Sequence, residues 1–326
     1  MPQMTKADNA DEEDAPWEGA RVFVIIPVFN RWRFTRECIE DIRRQTYPWL
    51  SVIVSDGGSS DETRAALRDY HDVILVHDKV PRWWAGSTAL GIEEALRRGR
   101  DDDFVLLLNN DTRLAADYVE KLVLCSRKYD AAVGGLIVDS RDPSVVLDAG
   151  EFIDWRTYAF PVKTEVAPGE TFFDGVDTLS GRGSLVPLHM IRAVGNVDEG
   201  TFPHYIADYD LFCRIKAAGF RLGVCYESRI LAHIEETGIA PSAEIRPFHE
   251  VLRGIFSRRS MANFHDHRRF ISRHAPAQQR AKLLRLLSIS TFGRLIYQTR
   301  LHSLVVAYRK AAKRYPLLRA LTQWMR

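Results

Sequence analysis

Cysteine is scarce in this chain: Cys38, Cys125, Cys213 and Cys225 are the only four in 326 residues, and none lies close enough to another to read as a metal-ligand pair. Free thiols in a reducing cytoplasm are the expectation, because the amino terminus has no signal-like apolar segment. Long hydrophobic runs are also missing. No stretch approaches the roughly 20 apolar residues of a spanning helix, so the chain is not expected to cross a membrane by itself. The turn after the first strand-like run, "PVFNRWRF", holds neither the glycines of a dinucleotide fingerprint nor a phosphate loop. That argues against a dehydrogenase or a P-loop enzyme.

What is present is an ordinary globular composition, 46% hydrophobic and 10% aromatic, long enough for one large α/β domain with appendages. The net charge of +2 conceals a polarised distribution: residues 241–326 hold 18 Lys and Arg against 3 acids, a net of +15, which leaves −13 for the rest. Within that basic region Leu301, Leu304, Val305 and Tyr308 recur at helical spacing among Arg300, Arg309, Lys310, Lys313 and Arg314. Such a helix suits an anionic bilayer. Nucleic acid and the chain's own acidic core are the rival partners, although nothing in the core suggests groove reading, and nucleic acid is not expected. Residues 1–20, with Asp11, Glu12, Glu13 and Asp14 together, read as a disordered acidic lead-in.

Between these ends strand and helix signals alternate. "RVFVIIPVF" reads as a buried strand, and a helix through Cys38, Ile39 and Ile42 follows, stopping at Tyr47 and Pro48. "LSVIVSD" is the next strand; a helix capped by Ser60 is expected after it, then the strand "DVILVHD", a helix from Ser87 to Arg98, and a strand at Phe104. This βαβ rhythm predicts a mostly parallel sheet covered by helices. Glycines come after the second strand, where Asp56 ends the run and Gly57 and Gly58 permit close backbone approach. In "FVLLLNNDTRL" a buried run meets Asn109, Asn110 and Asp111. At the carboxyl end of a parallel strand those residues face a ligand crevice; an Asx turn closing the strand is the alternative.

Five ordered signatures from Val22 to His233 resemble the family 2 glycosyltransferases of GT-A fold, particularly bacterial rhamnosyltransferase-like members: "VIIPVFNR", "VSDGGSSDET", "WWAGSTALGI", "LLLNNDT", and "GNVDEGTFPHYIADYDLFCRIKAAGF" with "LAHIEETG" behind it. The resemblance implies a GT-A domain over 21–240 and a nucleotide-sugar lying across the sheet edge with its diphosphate on Mg²⁺ or Mn²⁺. Asp111 then matches the last aspartate of the DXD motif, with Asn109 in place of the first, and His233 matches a further metal ligand. Pro27, Phe29 and Asn30 match the edge that cradles base and ribose, Asp56 with Gly57 the base contact, and Trp84, Asn109 and Asn110 the donor side. Asp208 matches the general base that deprotonates the acceptor hydroxyl, giving inversion in one displacement. Ala207 replaces the family's usual Glu before it. Gly181, Arg182 and Asp210 fall on the acceptor side.

The residues leave other readings open. Asp208 opens a helix and is able to cap it, Asp210 is spaced to pair with Arg214, and the paired tryptophans suit a core as well as a sugar platform. A sugar-phosphate nucleotidyltransferase would need a basic glycine-rich loop after the first strand. A catalytically inactive nucleotide- or membrane-binding relative is suggested by Asn109 and Ala207, and is opposed by the retained Asp111 and Asp208. The expected acceptor is a glycan or lipid-linked saccharide, handled on the cytoplasmic membrane face in surface polysaccharide synthesis. dTDP-rhamnose, UDP-hexoses and GDP-mannose all stay open as donors.

Overall fold

The computed structural model describes residues 19–78, 82–232, 247–258 and 260–299. Its centre is a sheet in the order β3-β2-β1-β4-β9-β6-β10-β5. β1 (Val22–Val28), β2 (Leu50–Asp56), β3 (Val73–His77) and β4 (Phe104–Leu107) pair in parallel, with Val28 opposite Asp56 and Ile25 opposite Leu107. They read as unbroken apolar runs because both faces are covered. Phe23, Ile25, Ile53, Val105 and Leu107 pack on α3 (Trp84–Arg98), α5 (Leu188–Val194) and α6 (Ala207–Ala217). The alternate residues Val22, Val24, Ile26, Val54 and Leu106 pack on α1 (Trp32–Arg43) and α4 (Tyr118–Tyr129). The period-2 alternation of side chains thus feeds two cores at once.

Beyond β4 the sheet stays mostly parallel, with β6 (Ala131–Asp139) and β10 (Arg221–Ala232) paired in parallel, but antiparallel strands are inserted beside them. β9 (Ser184–Pro187) runs antiparallel between β4 and β6, and β5 (Thr112–Leu114) runs antiparallel on β10. The physical reason is the connection. Only helical crossovers enforce parallel pairing, and β9 is reached instead through the excursion that carries the short β7 (Val146–Asp148) and β8 (Phe172–Phe173). Two local expectations also shift. The helix expected to start at Ser87 begins at Trp84. The short α2 (Thr63–Leu67) has Glu62 at its start with no side-chain cap, while the Ser60 N–H is drawn away to Asn30 Oδ1 at 2.8 Å.

The carboxy-terminal helices do not part from the domain at residue 240. Among α7 (Phe248–Phe256), α8 (Phe264–His274) and α9 (Ala277–Tyr297), α8 sinks Phe270, fully buried, into the main core against Trp155, Phe160 and Phe202. The amphipathic stretch at Leu301 to Tyr308 and the acidic lead-in before Glu18 lie outside the described residues, as does His233.

Candidate active site

The ends of β1, β2 and β4 meet at one edge, as the register requires. After β1 the chain turns through Asn30 and Arg31, both left-handed (φ 59° and 65°), a conformation that non-glycine residues adopt only where surroundings compensate. The compensation is visible: Asn30 Oδ1 accepts from the N–H groups of Ser60 and Asp61, and Asn30 N–H donates to Ser59 Oγ. The β1 turn is therefore clasped to the β2 turn, leaving Phe29 exposed at the rim and Pro27 half-buried behind it. Gly57 lies where a Cβ would stand 2.7 Å from both Arg82 O and Ser87 Oγ, so only glycine fits under that loop.

Asp56, the expected base contact, ends β2 and is held within its own loop. Its carboxylate is buried and engaged, one oxygen with the Arg64 guanidinium at 2.6 Å and the other with the Ser59 N–H at 2.8 Å. Burial opposes its ionisation, yet the Ser59 and Arg64 hydrogen bonds prevail and hold its pKa below the usual carboxylate value. Asp56 fixes the loop from beneath. Arg64, unremarked in the sequence, is the half-exposed group that this carboxylate aims.

At the end of β4 the three polar residues separate. Asn110 Nδ2 donates to Thr35 Oγ1 on α1 (3.0 Å). Asn109 Oδ1 accepts from Trp84 Nε1 at 2.9 Å. Trp84 is accordingly a strut between strand end and acceptor wall, neither plain core nor free platform, and its ring fills the space a Cβ on Gly181 would need, 2.6 Å away. Asp111 makes no Asx turn: Oδ1 is buried without a hydrogen-bond partner, and Oδ2 has only Arg31 at 3.9 Å. An orphaned, buried carboxylate oxygen is costly unless a ligand completes it. A hard divalent cation suits that donor; among the described residues no three His, Cys, Asp or Glu side chains gather into a metal cluster, at Asp111 or elsewhere. β5 begins beside it, and its Thr112 pairs with Ala232, the residue before His233.

Asp208 stands across the crevice, half-buried, at the second position of α6. The helix start is strained, since Ile206, a β-branched residue, is left-handed at φ 68°. Asp208 satisfies a first-turn donor of α6 and also reaches outside the helix. Its oxygens accept from Gly181 N–H at 2.8 Å and from the adjacent Tyr209 N–H at 3.0 Å. Burial raises its pKa; the Gly181 and Tyr209 N–H bonds and the Arg182 charge oppose that without cancelling it. The result is a stronger base than a surface carboxylate. Asn109, Trp84, Gly181 and Asp208 thus form one connected chain from the end of β4 to the start of α6.

Asp210, expected on the acceptor side, is not there. It is fully buried and bonds Arg214, Arg273 and His274, each at 2.8 Å. Arg273 and His274 come from α8, some 60 positions later in the chain, and no local motif could have announced them. Arg182 remains by the crevice, with Nε buried and unpartnered.

A sequence profile described as "Glycosyl transferase family 2" matches residues 23–179, and one described as "Glycosyl transferase family group 2" matches residues 104–319. An uncharacterized glycosyltransferase of Rickettsia typhi is 25% identical over 220 residues, covering 64% of each chain. The fold resembles a crystal structure of GalNAc-T7 with UDP, GalNAc and Mn²⁺ (TM-score 0.56, 14% identity, 91% of this chain and 59% of that one). It also resembles the mannosyltransferase PcManGT of Pyrobaculum calidifontis in complex with GDP-Man and Mn²⁺ (TM-score 0.54, 18% identity, 95% and 86%). The chain spans about two thirds or less of the Rickettsia and GalNAc-T7 chains. With the second profile covering well over half of its length and the fold matching GT-A structures, this chain belongs to the family 2 glycosyltransferases.

Proposed function

We propose that this glycosyltransferase is inverting, moving a sugar from a nucleotide-sugar to a hydroxyl of a glycan or lipid-linked saccharide in surface polysaccharide synthesis. The observation that carries the reading is a pair of carboxylates at the two ends of the Asn109–Trp84–Gly181 contacts, Asp111 with an orphaned oxygen and Asp208 with a raised pKa. Asp111 would hold Mg²⁺ or Mn²⁺, with His233, which lies outside the described residues, as the further ligand that the family resemblance implies. Bound there, the ion neutralises charge on the departing diphosphate; Mn²⁺ in GalNAc-T7 and PcManGT supports this. Asp208 accepts the acceptor's proton as that oxygen bonds to the anomeric carbon and the carbon–phosphate-oxygen bond breaks on the opposite face. Pro27, Phe29 and Asn30 line the base, on a loop that Asp56 and Gly57 hold in place. Trp84 and Asn109 keep the donor side in register with Asp208, and Gly181 and Arg182 face the acceptor. Asn109 in place of an acid fits the rhamnosyltransferase-like branch. The basic region 241–326 rests on the inner face of an anionic membrane, near a lipid-linked acceptor.

Thermal-shift screening of dTDP-rhamnose, UDP-hexoses and GDP-mannose, with Mn²⁺ and with chelator, tests donor and metal together. Asp111→Ala should lose the metal-dependent part of nucleoside diphosphate affinity by at least the roughly 10–100-fold that even ligand-orienting groups contribute, with its melting temperature retained. Affinity indifferent to both the substitution and the chelator would refute the metal assignment.

A further inference from the structure

Behind the Gly181–Arg182 turn lies a small pocket of about 10 Å³, room for one water-sized polar group, lined by Asp148, Glu151, Ser180, Arg182, Gly134 and Val224 among others. Glu151 was not singled out by any motif. It is 8% exposed, and its Oε2 is buried with no hydrogen-bond partner. Arg182 lines the same pocket and its Nε is likewise buried and unpartnered. A donor and an acceptor left unsatisfied in one cavity mark the place of a missing polar group. Most of the other polar neighbours are already engaged: Ser184 Oγ donates to Ser180 O at 2.6 Å, and Asp148 Oδ1 accepts the Gly150 N–H at 2.7 Å. The pocket adjoins the base, since Gly181, between Ser180 and Arg182, donates its N–H to Asp208.

We propose that this pocket receives one hydroxyl of the acceptor saccharide, the neighbour of the hydroxyl that Asp208 deprotonates, with Glu151 and Arg182 as its partners. The proposal rests on the assignment of Asp208 as base. A sugar hydroxyl both donates and accepts, and so satisfies Glu151 Oε2 and Arg182 Nε at once. The acceptor class is therefore a saccharide presenting a vicinal diol at the site of transfer. The electrostatics agree. Burial raises the Glu151 pKa first, the charge and side-chain hydrogen bond of Asp148 and the charge of Asp208 raise it further, and a hydrogen bond with Tyr209 opposes. Those acidic neighbours favour a partner that donates to Glu151 and brings no further negative charge.

The test uses methyl glycopyranosides of mannose, glucose, galactose and rhamnose as probe acceptors, each with its monodeoxy analogues, and the donor found by the screen. For wild-type enzyme, kcat/KM should fall roughly tenfold or more when the hydroxyl next to the transfer position is removed, because two buried groups are left unpaired. Glu151→Gln and Glu151→Ala should bring the parent glycoside down toward the deoxy level and shrink that discrimination toward unity. Gly134→Ala narrows the same pocket, its Cβ meeting Leu179 and Ser184 at 3.3 and 3.4 Å, and should act likewise without touching a carboxyl, so a misfolded Glu151 variant leaves the test intact. Discrimination that persists undiminished in these variants, its absence in wild type, or transfer to none of the glycosides overturns the pocket. Failure of the underlying reading is separate: Asp208→Asn would then still transfer normally.

Discussion

Asp208 and Asp210 stand two positions apart on α6, yet their surroundings drive them in opposite directions. Asp208 is raised by burial and is only partly stabilised by two backbone N–H groups. For Asp210 burial opposes ionisation too, but His274, Arg214 and Arg273 outweigh it and hold the pKa at about 2. A carboxylate raised in the folded state destabilises the fold once ionised, so Asp208→Asn should leave the melting temperature at pH 7 unchanged or slightly higher. Transfer should nevertheless fall by roughly 10²-fold or more. The acid limb of kcat/KM should have its midpoint above the ordinary carboxylate range, since the base must be ionised to act. A lower melting temperature with near-normal turnover would reverse the assignment. The sign is opposite for Asp210. Its contribution is full above the unfolded value of about 4 and is lost as pH falls through about 2. Thermal melts should show Asp210→Asn clearly less stable than wild type at pH 7, with the gap closing between pH 4 and 2.

Those partners make α8 a brace for the helix that carries Asp208. Arg273 joins Asp210 to Asp198 at 2.8 Å each, and Arg269 reaches Thr201 O at 3.1 Å, so the loop before α6 and the helix itself are held from one side. Arg273→Ala leaves a buried carboxylate short of one partner, a loss of about 1–3 kcal/mol. If the brace positions Asp208, kcat should fall while the donor KM stays near wild type, and Arg273→Lys should restore part of it; a parallel loss of donor affinity would mean general unfolding of the site. None of this was legible in the sequence. β1, β2 and β4 were, because a strand buried on both faces writes itself as an apolar run, and the polar residues at its end are then forced to one edge. The places of Asp111 at a strand end and of Asp208 at the start of α6 were legible in the same way. The contacts of Asn110 with Thr35 and of Asp56 with Arg64 were not, because packing sets them. The antiparallel β9 and the docking of Phe270 depend on long excursions whose return point has no local signal.

At the scale of the molecule, charge is sorted along the chain: −13 before residue 241 and +15 after it. Part of the basic region is spent on the domain itself, as Arg273 shows. α9 is different. Leu283 is its one buried apolar residue, while Ile289 is 58% and Phe292 64% exposed, on a face shared by spacing with Lys282 and Arg285. Exposed apolar side chains beside basic ones suit the boundary of an anionic bilayer, where apolar burial and headgroup attraction act together. No helix among the described residues is long and apolar enough to cross a membrane, so any such association would be in-plane. The two contributions separate by experiment. Lys282→Glu with Arg285→Glu should weaken sedimentation with phosphatidylserine vesicles strongly at low salt and little at high salt, where screening has already removed the electrostatic part. Ile289→Ser with Phe292→Ser should weaken it at both. Neither pair touches the core, so melting temperature and nucleoside diphosphate binding should hold. Binding undiminished by both pairs would move the membrane contact away from α9, and vesicle binding absent from the wild-type chain would remove the membrane from the reading altogether.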